Sequence, residues 1–370
     1  MIKSLKNIFL KGMITQLMNS VMRTNKVFVC GAGHQGLSMA AHLALNGIEV
    51  HLWNRSEKNI HDLIETGTVY CSGIVNGKAQ ISKVSTNIGE VVNDFVMVTT
   101  PSSAHMDIAK ALAPYVHEDM IIVLNPGRTF GAIAFAEELK KCGVKKLPHI
   151  AETQTIVYTC RKSGPNSINI FALKNDVKIA ALRGSDINQI IAKMPDCLKP
   201  FFSTVDSVAL TSLTNIGMVL HCAPVMMNVG WIESEKVDFK YYYDGISKSV
   251  AHLLEKIDAE RQVVAHAVSY DIESLMDWIK RTYLVKGDNL FECIQNNEAY
   301  REIDAPPTLN TRYIFEDVPN GLVPVEFMGQ ELGIPTPNIT TIIDLTCSVM
   351  DIDYRVLGRR FSIEQLRNYF

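Results

Sequence analysis

Gly31, Gly33 and Gly36, in KVFVCGAGHQGLSMAAHLALNGIEVHLWNRS over residues 26–56, constrain the fold more than any other feature of the chain. Lys26 to Cys30 is a β-branched and apolar run that reads as a strand, and Leu37, Ala40, Ala41, Leu43 and Ala44 then recur at helical spacing. Asn46-Gly47 stops that helix, and Glu49 to Trp53 reads as a second strand. The G-x-G-x-x-G spacing therefore falls in the strand, turn, helix, strand setting that gives it meaning. Gly31 permits the tight turn, Gly33 lets a pyrophosphate approach the backbone, and Gly36 lets the helix pack on the strand. The N–H groups at the helix start, with the helix dipole behind them, favour the phosphates of a dinucleotide. Gly31, Ala32, Gly33, His34, Gln35 and Gly36 are thus candidate cofactor contacts, against the bland reading of an ordinary βα turn.

The second strand ends in Asn54-Arg55-Ser56. NAD-binding units usually place Asp or Glu here for the ribose 2′-OH, whereas a guanidinium suits a 2′-phosphate. Asn54, Arg55 and Ser56 join the cofactor set and tilt the choice to NADP, with NAD still open.

A chain of 370 residues exceeds the usual single core, so two domains are expected. The anticipated architecture is α/β plus all-α: a Rossmann dinucleotide-binding domain over 22–203, then a mainly helical domain over 204–370. The boundary is placed where the hydrophobic period lengthens, near Pro195 and Pro200. The net charge of −3 offers no basic field for nucleic acid. The 8 cysteines are scattered without C-x-x-C or a zinc spacing, which suits a reducing, cytoplasmic setting and no metal site. Residues 1–21 form a basic extension: Lys3, Lys6, Lys11 and Arg23 occur before Asn25 without any acid. It is either a targeting or membrane-surface segment or the product of an early start, Met22 lying just before the first strand, and the second reading is preferred. It is too short to span a bilayer, so no stable membrane insertion is expected.

Further along, Glu57 to Glu65 reads as a helix and Gly73 to Lys83 as a hairpin around Asn76-Gly77. Asp94 to Thr99 and Met120 to Leu124 read as buried parallel strands, with a helix over 106–115 between them. Their carboxyl ends carry Thr100-Pro101-Ser102-Ser103 and Asn125-Pro126-Gly127-Arg128, where open α/β sheets bind ligands, so both loops are expected to approach the cofactor. A further strand over 146–151 leads into Glu152-Thr153-Gln154, and Ser247 to Val268 reads as a long amphipathic helix.

A dinucleotide fold without metal-ligand spacing suggests hydride transfer, in which the protein supplies a proton carrier and a substrate anchor. His221 lies in the apolar stretch NIGMVLHCAP, where a lone histidine is more often a satisfied core residue. In TRYIFEDVPNGLVP, Arg312 has the planar fork that grips a carboxylate and Asp317 the group that fixes an imidazole tautomer; on spacing alone this is a surface salt-bridge loop.

The ordered blocks GAGHQG, LNPGR, AETQT, NIGMVLH, YYYDGISKSVAHLLEKIDAERQ, TRYIFEDVPNGLVP and GIPTP resemble the opine dehydrogenase family, the octopine/nopaline dehydrogenases, from about Lys26 to Leu366. That resemblance implies a Rossmann domain followed by a helical one, and NAD(P)H-dependent reductive condensation of an amino acid's amine with a 2-oxo acid. It also implies His221 and Asp317 as the catalytic pair, Arg312 as a substrate-carboxylate ligand, and Glu152 and Gln154 as residues lining an interdomain cleft. A monomer or homodimer is expected. Family members usually carry proline directly after the histidine; here Cys222 follows and proline waits until Pro224, which puts the local helix geometry in question. Rivals are a carbonyl reductase of the same plan, such as ketopantoate reductase or glycerol-3-phosphate dehydrogenase, a non-enzymatic nucleotide sensor, and a relative acting on larger amines. Tyr241, Tyr242 and Tyr243 either line the pocket or pack with hydroxyls at an edge, the latter preferred. Asp258, Glu260 and Arg261 are read as structural, and Gly333 to Pro337 as a rigid turn without chemistry.

Overall fold

A computed structural model describes residues 24–370. The basic extension and the alternative start at Met22 lie outside the described residues. The chain forms two compact units, each discontinuous in sequence. Among the described residues, one holds 24–100, Ile108–Pro126 and Glu138–Asp206; the other holds Pro101–Asp107, Gly127–Glu137 and Ser207–Phe370.

In the first unit β1 (Lys26–Cys30), helix α1 (His34–Leu45) and β2 (Glu49–Trp53) form the expected βαβ opening. After them come β3 (Thr68–Gly73), β4 (Gly77–Gln80), β5 (Lys83–Ser85), β6 (Phe95–Val98), β7 (Ile121–Leu124) and β8 (His149–Thr153). The unit closes with β9 (Tyr158–Gly164), β10 (Ser167–Leu173), β11 (Val177–Ala181) and β12 (Phe202–Thr204). An 8-stranded sheet runs β12-β11-β8-β7-β6-β1-β2-β5. It is parallel except where β8 meets β11. Strands β6 and β7 are buried at every position, which is why they read as unbroken apolar runs. A smaller sheet, β4-β3-β10-β9, shares its core with α1: Val69, Ile168 and Ile170 pack with Leu37, Met39 and Ala40.

A hairpin is present, but as β3 and β4 over 68–80 rather than 73–83: its turn is 74–76, Gly77 already pairs with Cys71, and Lys83 opens β5. The predicted helix over 57–65 is instead a 3-10 turn, Glu57–Asn59, followed by a short helix, His61–Thr66. The strand expected over 146–151 starts only at His149, because Pro148 has no N–H to give a sheet ladder.

The second unit is helical. Its principal members are α2 (Gly217–Met227), α3 (Lys248–Ala267), α4 (Arg312–Phe315), α5 (Val323–Leu332) and α6 (Pro337–Met350), with a π-helical turn at Val318–Leu322. The apolar stretch Val208–Met227 has membrane-like length and hydropathy, yet it breaks between residues 213 and 217 and is 83% buried inside the protein. Ser247 caps α3 by accepting from Val250 N–H. Arg261, wholly buried, donates to Asp258 at 2.6 Å and to Leu213 O at 2.6 Å. Glu260 accepts from Asn338 and Ile339 N–H at the start of α6, where a carboxylate suits the dipole. These residues hold helices together, as read from the sequence.

Candidate active site

At the glycine-rich turn, a Cβ on Gly36 would stand 1.8 Å from Gly31 O, so only glycine allows α1 to seat against β1. A Cβ on Gly33 would meet nothing within 4 Å, so open space lies where the motif calls for a pyrophosphate. Gly33 gives α1 no side-chain cap, which leaves the first N–H groups available to an anion. Asn54 Oδ1 accepts from Ala32 N–H at 3.2 Å, tying the end of β2 to the turn, and Arg55 and Ser56 are exposed just beyond it. Thr99 Oγ1 donates to Cys30 O at 3.0 Å, and Thr100 follows at the end of β6. The side chains of His34 and Gln35 turn to β9 instead: His34 Nδ1 accepts from Lys162 N–H at 2.8 Å and Gln35 Nε2 donates to Tyr158 O at 3.1 Å. What Gln35 can offer a phosphate is therefore its backbone. These features fit a dinucleotide held by main-chain groups. Glu152 and Gln154 are buried at the end of β8 and just beyond it.

In the helical unit, His221 stands on α2 and Asp317 between α4 and the π-helical turn. The π-helical turn comes close because Gly321 has no side chain; a Cβ there would lie 2.5 Å from Met218 Cβ. His221 Nδ1 and Asp317 Oδ2 are 2.7 Å apart, with His221 8% exposed and Asp317 fully buried. Tyr313 stacks on the imidazole, ring centroids 4.0 Å apart and planes 17° apart. The Arg312 guanidinium sits 5.2 Å from the centre of the Tyr313 ring.

Burial alone would raise the carboxyl of Asp317; the Arg128 cation, His221 and Arg312 outweigh it and bring it down to about 2. Burial also pulls His221 below the usual imidazole value. Asp317 opposes that fall, while Arg312 and Arg128 add to it. The resting pair is a neutral imidazole beside a carboxylate, which places the Nδ1 proton toward Asp317 and leaves Nε2 to exchange protons.

The question raised by Cys222 is answered by Tyr241. Pro224 inside α2 cannot donate to Leu220 O, and Tyr241 Oη lies 3.4 Å from that carbonyl and donates to His221 O at 2.7 Å. The Tyr241 hydroxyl is buried rather than at an edge, because α2 needs it. Cys222 Sγ points to Tyr313 O at 3.4 Å, and burial keeps it a thiol.

The two loops expected at the cofactor carry residues that bond into the helical unit. Glu316, 3% exposed, accepts from Ser102 N–H at 3.0 Å and from Arg128 Nε at 3.4 Å, since a buried carboxylate must find donors. Asn320 Nδ2 donates to Ser102 Oγ at 3.1 Å. Glu316, Asn215 and Tyr313 were not singled out by sequence reasoning, and Arg128 and Tyr241 were given no part in supporting His221. The adjacent acids Glu316 and Asp317, set between Phe315 and Val318 in an otherwise apolar run, were the available signal that a buried cation must come from elsewhere.

Residues 204–350 match a family model for the α-helical domain of NAD/NADP octopine/nopaline dehydrogenases, and residues 26–148 one for the NAD-binding domain of 6-phosphogluconate dehydrogenase. An opine dehydrogenase from Arthrobacter sp. (strain 1C) is 36% identical over 90% of this chain and 92% of its own. The chain belongs to the opine dehydrogenase family. It is accordingly an NAD(P)-dependent oxidoreductase acting on CH–NH groups. Solved opine dehydrogenases share the fold. An octopine dehydrogenase in complex with NADH and agmatine superposes with a TM-score of 0.73 at 17% identity, covering 90% of this chain and 94% of that one. An NADP+-bound yersinopine dehydrogenase superposes at 0.71 and 13% identity, covering 93% and 95%.

Proposed function

We propose that this opine dehydrogenase joins the amine of an amino acid to a 2-oxo acid, with His221 exchanging the protons. The observation that carries the reading is the buried 2.7 Å contact of His221 with Asp317, beside an imidazole face covered by Tyr313. With its pyrophosphate held at the Gly31 to Gly36 turn, the reduced dinucleotide would supply the hydride from its nicotinamide. The chain's own residues do the rest. Arg312 holds a substrate carboxylate with its two-pronged donor set. His221 Nε2 passes one proton of the attacking amine to the carbonyl oxygen and then relays the second to the resulting hydroxyl, so that both leave as water and the substrate imine forms. Asp317 keeps the ring oriented and steadies the imidazolium while it exists. Glu152 and Gln154 contribute further substrate contacts.

Arg55, following β2 where NAD-specific units carry an acid, favours NADP over NAD. Thr100 and Pro101 complete the cofactor contacts. In place of a single cut at 204, the cofactor domain is assigned as 24–100, 108–126 and 138–206 and the substrate domain as 101–107, 127–137 and 207–370, and the protein acts in the cytoplasm as a monomer or homodimer.

The test is a matrix of amino acids and 2-oxo acids, assayed by loss of nicotinamide absorbance with NADPH and with NADH, products identified by mass. Turnover should require both an amine and an oxo acid. Turnover with an oxo acid alone would favour a carbonyl reductase. Replacing His221 by Asn should lower kcat by about 10²–10⁴ while cofactor affinity stays within about twofold; unchanged kcat removes His221 from the mechanism.

A further inference from the structure

Arg128 follows Asn125-Pro126-Gly127 and has no assigned role. Its side chain is only 11% exposed, yet it makes no apolar anchor. Nη1 lies 3.6 Å from Asp317 Oδ1 and 3.3 Å from Asn215 Oδ1, and Nε lies 3.4 Å from Glu316 Oε1. Asp317 Oδ1 is buried and accepts no hydrogen bond, so its charge is met by this cation. Space has been kept for the guanidinium: a Cβ on Gly217 would stand 2.6 Å from Nη1.

The backbone shows the same commitment. Arg128 has φ of +61°, a left-handed conformation that costs a non-glycine residue on the order of 1 kcal/mol or more. Arg359 Nη1 fastens the strained residue from both sides, at 2.9 Å to Gly127 O and 2.8 Å to Thr129 O.

We propose that Arg128 is the positioning residue of the proton-exchanging pair: its guanidinium occupies the Oδ1 side of Asp317 and Glu316 Oε1, so that Asp317 offers Oδ2 to His221 and the surrounding side-chain charges cancel around a neutral imidazole. The proposal rests on the reading of His221 as proton carrier. The charged groups acting on the imidazole are Asp317, Arg312 and Arg128, with Glu316 paired to both arginines, the Cys222 thiol on the same helix, and Tyr313 and Tyr241 beside it. Two cations face two carboxylates, so a proton on His221 adds one uncompensated positive charge. The carboxylate of an incoming 2-oxo acid restores neutrality. Arg128 thereby couples protonation of His221 to occupation of the site by an acid.

The test follows the C2–H resonance of His221 by NMR in the full-length protein across about pH 5 to 9, the resonance assigned with the His221→Gln variant. Arg128→Gln should raise the His221 midpoint by about one unit or more, and Arg128→Lys should keep it within about half a unit of wild type. The basic limb of kcat, with pyruvate as the oxo acid and an amine chosen from the matrix, should move up with it. Should Arg128→Gln fail to fold, Glu316→Gln removes a negative charge from the same cluster and should lower the midpoint. An unmoved midpoint in whichever of these variants is folded overturns the proposal. Retained turnover in His221→Asn would overturn the proton-carrier reading instead, leaving the NMR midpoint to report on Arg128 alone.

Discussion

Asp317→Asn replaces a carboxylate by an amide of nearly the same shape, and Arg128 decides which way that amide turns. Its single carbonyl oxygen is drawn to the guanidinium that stood 3.6 Å from Oδ1, which aims the NH₂ at His221 Nδ1, 2.7 Å from the former Oδ2. The neutral ring must then carry its proton on Nε2, the wrong atom for accepting one from the amine. The imidazolium loses its counter-charge as well, which lowers the His221 pKa by about 1–3 units from a value that burial already depresses. In the reductive direction the protonated ring drives loss of water. At pH 7 its population should fall by about 10- to 10³-fold, equivalent to about 1.4–4 kcal/mol. Because the folded-state pKa falls, the alkaline loss of activity begins at lower pH, so the optimum moves to the acid side, opposite in sign to the shift expected for Arg128→Gln. Initial rates of NAD(P)H loss at saturating amine and oxo acid, measured across the pH range, read both effects. A variant with wild-type kcat and an unmoved profile would refute the argument that Asp317 acts through the imidazole.

Tyr241→Phe should leave Leu220 O without a donor beside Pro224 and remove a second donor from His221 O, costing about 1–3 kcal/mol of helical-unit stability; calorimetry should show a lowered transition, and an unchanged one would mean that α2 does not depend on the hydroxyl. Gly36→Ala should abolish cofactor binding or weaken it by about tenfold or more, since its methyl would overlap Gly31 O and push α1 from the turn; quenching of protein fluorescence by NADPH and NADH reads this, and wild-type affinity would refute the packing argument.

The opening βαβ unit was legible because its three glycines, its two strands and its helix stop each answer to local chemistry. The helix over 248–267 was legible through its period, and the structure adds the Ser247 cap at its start. Strands β11 and β12 were not legible, because pairing across longer connections decides them, and the β9–β10 hairpin, though joined by only two residues, carries register shifts that interrupt its alternation. His221 and Asp317 are 96 positions apart, and nothing local to either declares the other; the order of family blocks supplied that link. The part played by Arg128 was not legible for the same reason: its loop was read only as a ligand loop at the end of a parallel strand, and the need of Glu316 and Asp317 for a cation is visible only in three dimensions.

Because residues 101–107 and 127–137 belong to the helical unit although they are threaded through the sheet's sequence, cutting this chain once near residue 204 does not separate two complete modules. A chimera that takes its first half from a relative would import that relative's counterparts of Ser102 and Arg128 and set them against this chain's Glu316 and Asp317. Exchange of cofactor preference by recombination should therefore succeed only when those two short segments travel with the C-terminal half.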